Sequence, residues 1–119
     1  MCGIAGYLGK RIISDDVVQS TLESMKNRGP DAQSFSRIND SSQVLLLHSR
    51  LSIIDLDSRS NQPFERGDLS VVFNGEIYNY VELRSELRSL GSIFETESDT
   101  EVLLEAYLKF GEDCVKKFE

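Results

Sequence analysis

Three settings in this chain combine residue types and spacings that could do chemistry. The first is Met1-Cys2-Gly3. Aminopeptidases remove Met before a small second residue, which would leave Cys2 as the N-terminus. A terminal cysteine holds a nucleophile and a base in one residue. A thiol ordinarily titrates near about 8.5 and an α-amine near about 7.7–8.0, so moving the proton costs roughly 1 kcal/mol. No separate histidine is then required. The second setting is Asn74-Gly75-Glu76, behind an apolar run. An Asn side-chain N–H and a nearby backbone N–H are suitable donors for an oxyanion, and glycine lets the backbone approach a reacting carbonyl closely. The third is Arg50 with the acids Glu76 and Asp99. Arginine suits a carboxylate clamped by two parallel hydrogen bonds, and two acids can hold an ammonium, so these groups together would grip both charged ends of an amino acid.

Each setting has a plainer alternative. A cysteine can fall at position 2 by chance. Asn-Gly is also the commonest hairpin signal. Arg50 could form a surface salt bridge, and Asp99 could be a helix cap, where acids are favoured anyway. His48 is the only histidine; a hydrogen-bonded structural role fits it better than catalysis, because the Cys2 amine already supplies a base. Arg28-Gly29-Pro30-Asp31 reads as a turn that stops a helix, and Cys114 as a core residue. Gly3, Gly6 and Gly9 do not match a phosphate-loop spacing, and no strand precedes them.

The elements that must position these residues read as α+β. Ile4 to Leu8 and Val44 to Leu47 read as short buried strands, Ser34 to Ile38 as a strand, and Leu51 to Leu56 as a further one. Asp15 can cap a helix with Val18, Leu22 and Met25 on its apolar face. Asn39 to Ser42 reads as a turn and Ser58 to Pro63 as a polar loop. Leu69 to Phe73 is another strand. Asn79 starts a helix in a near-match to a capping box with Glu82, with Leu83, Leu87 and Leu90 as its buried stripe and Gly91 beyond its end. Ser98-Asp99-Thr100-Glu101 is a capping box proper, opening a helix that buries Val102, Leu103, Ala106, Tyr107 and Phe110. Cys114, Val115 and Phe118 begin one more helical stretch.

Length and composition restrict the setting. At 119 residues the chain has room for one domain with a core. A net charge of −7 argues against nucleic acid and anionic membranes. Two cysteines at opposite ends are no disulfide framework and point to free thiols in a reducing cytoplasm. There is no apolar run of transmembrane length and no secretory signal pattern, and Gly3 rather than residue 2 is the first glycine, which excludes a myristoylation signal.

The joint order of the pieces is more specific than any one of them. Met-Cys-Gly-Ile-Ala-Gly at 1–6, Asn-Arg-Gly-Pro-Asp at 27–31, His-Ser-Arg-Leu-Ser-Ile-Ile-Asp at 48–55, Asn-Gln-Pro-Phe at 61–64, Phe-Asn-Gly-Glu-Ile-Tyr-Asn at 73–79 and Ser-Asp-Thr-Glu at 98–101 resemble the class II glutamine amidotransferase domain of the asparagine synthetase family. Phe73 and Glu76 favour this branch over sister families, which usually carry His at the first position and lack the acid at the second. Leu47 departs from the family, which more often has Gly before the His.

The resemblance implies an N-terminal nucleophile hydrolase fold, with two stacked antiparallel sheets flanked by helices. It implies hydrolysis of L-glutamine to glutamate and ammonia through a Cys2 thioester. Asn74 and Gly75 would form the oxyanion hole. Arg50 would bind the glutamine α-carboxylate, Glu76 and Asp99 would lie near its α-amine, and the backbones of Leu51 and Ile53 would add contacts. No metal or cofactor is expected in residues 1–119. ATP and Mg²⁺ would serve a C-terminal synthetase domain that takes the ammonia; another acceptor, or a non-catalytic remnant, stays open, as does a homodimer. The resemblance also implies that the glutaminase domain continues past Glu119, so that 1–119 would be its N-terminal part, weakly stable alone and of weak or no glutaminase activity by itself.

Overall fold

The computed structural model describes all 119 residues. In chain order the elements are β1 (Gly3–Gly9), α1 (Asp15–Met25), β2 (Ala32–Asn39), β3 (Gln43–Arg50), a 3-10 turn (Ser58–Ser60), β4 (Phe64–Arg66), β5 (Leu69–Val71), α2 (Tyr80–Ser89), α3 (Asp99–Phe110) and a 3-10 helix (Gly111–Lys117). The fold is α+β with two antiparallel sheets: β1-β3-β2, and the hairpin β4-β5.

The period of two along β3 divides its side chains between the faces of the larger sheet. Leu45 and Leu47 lie against Val18 and Leu22 of α1, the first apolar core. His48 and Arg50 belong to the other face. A second core joins Ile77, Leu83, Leu87, Val102, Ala106 and Cys114, between α2, α3 and the last 3-10 helix. Each buried Val, Leu or Ile among these contributes roughly 1.5–3 kcal/mol.

Several expected elements differ in instructive ways. Leu51 to Leu56 is an irregular loop, not a strand. Arg50 takes the carbonyls of Ile54, Asp55 and Asp57 that a ladder would have used, and Asp55 sits at φ 52, in the left-handed region. The three-residue strand β4 went unread because Asn61-Gln62-Pro63 obscures its start. Its hairpin turns at Gly67, with φ 57, so Asn74-Gly75 is not the hairpin loop. The β1 strand is only half buried: Ile4 and Leu8 are exposed. Ser14, not Asp15, is the N-cap of α1.

The helix caps are also redistributed. Asn79 makes no cap bond to α2. It holds the chain end instead, donating to the Lys117 carbonyl at 2.8 Å and accepting from the Glu119 N–H at 3.2 Å. Leu90 is half exposed; on α3 Val102 and Ala106 are buried as expected, Leu104 is buried as well, Leu103 and Phe110 pack partly buried against the core, and Tyr107 is outside. Ser98 caps α3 as expected, accepting from the Glu101 N–H at 3.2 Å. The other half of that box is diverted. The fully buried Glu101 carboxylate accepts from the backbones of Glu95 and Thr96 and from the Thr96 hydroxyl, and it pairs with Arg66 of β4 at 2.6 Å.

The turn Arg28-Gly29-Pro30-Asp31 fixes the end of β3. Ser49 Oγ donates to the Gly29 carbonyl at 2.8 Å, and the Asp31 N–H donates to the Arg50 carbonyl at 3.0 Å. A Cβ on Gly29 would sit 2.1 Å from the Ser49 carbonyl oxygen, so only glycine fits. Gly29→Ala is expected to lower stability by about 3 kcal/mol, at the upper end of overpacking costs, read as an earlier urea midpoint with an unchanged slope.

Candidate active site

One cavity of about 470 Å³ collects all eight candidate residues: Cys2, Arg50, Leu51, Ile53, Asn74, Gly75, Glu76 and Asp99. They come from four places in the chain. Cys2 immediately precedes β1, the end of β3 and its following loop bring Arg50 to Ile53, the segment after β5 brings Asn74 to Glu76, and the first residue of α3 is Asp99.

Pairing of Gly3 with Ser49 sets Cys2 beside the point where β3 ends. The Leu51 N–H donates to Cys2 Sγ at 3.3 Å, and Sγ lies 3.6 Å from the Leu51 carbonyl. Arg28 Nε donates to the Cys2 carbonyl at 3.2 Å. Leu51 therefore touches the sulfur itself, a contact the sequence reading did not assign.

Arg50 is buried at the cavity wall, but its fork is engaged. Nη1 donates to the Asp57 carbonyl at 3.0 Å and to Asn61 Oδ1 at 2.7 Å, while Nη2 donates to the carbonyls of Ile54 and Asp55. All four Nη hydrogens thus hold the loop, which leaves Nε. The expected two-bond clamp is not how the guanidinium stands here. The loop is further tied by Asp55. Its carboxylate accepts from Ser60 Oγ and from the Glu97 N–H, each at 2.7 Å. Burial pushes this carboxyl up, but its hydrogen bonds from Ser60, Asp57 and Glu97 outweigh that and hold it below the usual range.

Asp99 is buried, and its Oδ2 accepts from the Ile77 N–H at 3.2 Å. Burial raises its pKa, the backbone hydrogen bonds oppose this, and the nearby Glu76 charge adds to the rise; the net shift is upward. The site therefore favours a cation beside Asp99. Two buried devices support this helix start from behind. Arg84 of α2 donates to the carbonyls of Thr96 and Ser98 at 2.5 and 3.0 Å, and Glu101 orders the preceding turn. Gly75 is packed against the Phe73 ring, which a Cβ would meet at 2.8 Å.

Sequence reasoning missed Ser60, Gln62, Phe73, Tyr78 and Thr100 as cavity residues. Gln62 had a signal, since Asn-Gln-Pro-Phe was among the ordered motifs, but its side chain had no assigned partner. No metal-competent cluster of three or more His, Cys, Asp or Glu side chains is present, and no helix is long and apolar enough to cross a membrane.

The glutamine amidotransferase domain family matches residues 1–119. This chain belongs to that family. The amidotransferase domain is 38% identical to asparagine synthetase [glutamine-hydrolyzing] 3 of Bacillus subtilis, over 97% of this chain and 19% of the relative. It is 39% identical to asparagine synthetase [glutamine-hydrolyzing] 1 of the same organism, over 98% of the chain and 19% of the relative. It is also 39% identical to asparagine synthetase [glutamine-hydrolyzing] 2 of Oryza sativa subsp. japonica, over 97% and 19% respectively. The chain thus spans about a fifth of the length of these relatives.

In the amidotransferase domain His48 is fully buried, and neither ring nitrogen has a hydrogen-bond partner. It does not line the cavity, and the side-chain hydrogen bonds expected of it are absent. Burial lowers its pKa; the nearby Phe73 backbone raises it and the Arg50 charge lowers it, and the net shift is below 6.5. The unfolded chain therefore binds a proton that the folded chain refuses. The His48 contribution is intact above pH 6.5 and is lost as pH falls from there through the depressed folded value. His48→Leu should flatten the loss of stability between about pH 7 and 5, by up to about 1.4 kcal/mol per pH unit relative to wild type. Chemical denaturation across that range checks it.

Proposed function

We propose that this chain hydrolyses L-glutamine to L-glutamate and ammonia, with Cys2 as an N-terminal nucleophile once Met1 is removed. The single observation that carries the reading is that a terminal-type cysteine, oxyanion donors, a cation and a cation-seeking acid line one amino-acid-sized cavity. Family membership supports it. The same reading assigns the α+β sheets to an N-terminal nucleophile hydrolase fold.

The free Cys2 amine takes the thiol proton, and Sγ attacks the glutamine side-chain carbonyl carbon. The oxygen becomes an oxyanion held by the Asn74 side chain and the Gly75 N–H. The amine returns the proton to nitrogen, the C–N bond breaks, and ammonia leaves a γ-glutamyl thioester. Water, deprotonated by the same amine, opens the thioester to glutamate and restores the thiol. Arg50, through Nε and its charge, with the backbones of Leu51 and Ile53, holds the α-carboxylate. Glu76 and Asp99 hold the α-ammonium. In a longer parent the ammonia would be used by an ATP-dependent synthetase domain, with aspartate as the acceptor in the asparagine synthetase case.

Met1 retention converts the base into an amide, so unprocessed chain should release no ammonia from glutamine, and intact mass should show Met1 lost in any active sample. Full turnover with Met1 attached would sink the mechanism. Asn74→Ala should lower kcat by about 10²–10³, the usual cost of one oxyanion donor. Asp99 must be ionised to pair with the substrate ammonium, and it holds its proton more tightly than an ordinary carboxyl. Glutamine kcat/KM should therefore fall as pH drops through a value above 3.8. In Asp99→Asn the part of this fall carried by KM should vanish, while the fall in kcat from protonation of the Cys2 base remains, with KM raised throughout.

A further inference from the structure

Asn61-Gln62-Pro63-Phe64 is the motif that the proposed chemistry leaves without a role. Gln62 is buried in the cavity wall and bonds in three directions. Its carbonyl accepts from Ser34 Oγ of β2. Its side-chain Oε1 accepts from the Phe73 N–H at 2.5 Å. Its Nε2 donates to Thr100 Oγ1 at 3.0 Å. Phe73 immediately precedes the Asn74-Gly75 pair, and Thr100 immediately follows Asp99. One planar amide, donor at one end and acceptor at the other, thus spans the gap between two functional segments. Its neighbour Asn61 accepts from Arg50 at 2.7 Å, so the segments meant for carboxylate, ammonium and oxyanion all meet at 61–62.

We propose that Gln62 is a positioning residue that sets the spacing between the oxyanion loop and the ammonium site, and with it the fit of glutamine's length. This rests on the glutaminase reading above. Glutamine must place its side-chain carbonyl at Asn74-Gly75 while its ammonium reaches Asp99 and Glu76. The reaction depends on that distance, because displacement of a reacting group by about 1 Å can cost about 10²-fold in rate. Only one other side-chain bond, Asp99 to the Ile77 N–H, ties the 73–77 segment to the start of α3, and Asp99 is itself engaged by substrate. Gln62 supplies a second tie, whose amide is already engaged at both ends by the protein. Loss of either end also strands a buried polar partner, which cannot recruit a substitute from an apolar replacement.

The test uses the full chain with Met1 removed, wild type beside Gln62→Met and Thr100→Val. Gln62→Met removes both bonds of the bridge, and Thr100→Val only the one to the start of α3. Both should lower glutamine kcat/KM by about 10–100-fold, and the double variant should be no worse than the more severe single one, since the two residues share one interaction. The rate of Cys2 alkylation by iodoacetamide, which needs no ammonium contact, should stay within about twofold of wild type. Glutamine kinetics within about threefold of wild type in a folded variant would overturn the proposal. So would alkylation falling in parallel with turnover, because that marks collapse of the cleft rather than lost spacing. If Gln62→Met does not fold, Thr100→Val, a same-shape change, decides alone. Wild-type chain that turns over no glutamine would instead overturn the functional reading on which this proposal rests.

Discussion

The architecture depends on buried hydrogen bonds that join two separate apolar cores. One core lies between α1 and β3, the other between α2 and α3, and the cavity lies where the elements between them end. Buried polar or charged residues outnumber buried apolar ones, fourteen to twelve, and six of the fourteen line the cavity. A hydrophobic contact tolerates sliding; a buried donor and acceptor do not, because separation leaves both unsatisfied at roughly 1–3 kcal/mol each. The cavity therefore inherits its dimensions from Arg50, Asp55, Gln62, Arg84, Asp99 and Glu101 rather than from the cores.

This division explains what the sequence disclosed. Helices announce themselves by periodic apolar residues and caps, so Val18 and Leu22 on α1, Leu83 and Leu87 on α2, and Ser98 before α3 were readable. Loops organised by a single side chain were not. Leu51 to Leu56 has the composition of a strand, and only the Arg50 guanidinium, taking its carbonyls, makes it a loop. Asn79 has the type of a cap and is spent on a contact with Lys117 and Glu119, forty residues away in sequence at its far end. Such long-range uses of polar side chains leave no local period to detect.

The candidate site was more legible than the fold around it. Residues that could act on an amino acid were recognisable by type at Cys2, Arg50, Asn74, Glu76 and Asp99, and the structure brings them to one cavity although they lie up to 97 positions apart in sequence (99 − 2). What type alone could not show is the state of each group. Arg50 is occupied by its own loop, Asp99 is desolvated and poised to accept a cation, and His48 is buried without a partner. Gln62 carried a signal only as part of Asn-Gln-Pro-Phe, and its role was not readable because its significance lies in which two segments it joins.

The central claim is that Cys2 forms a covalent intermediate with glutamine's side chain. Rapid acid quench of the processed chain during glutamine turnover, followed by mass spectrometry of the N-terminal peptide, tests it most directly. The account predicts one γ-glutamyl unit on the peptide beginning at Cys2, absent from Cys2→Ala and removed by hydroxylamine. Steady ammonia release that persists in Cys2→Ala, with no adduct in the wild-type chain, would contradict it.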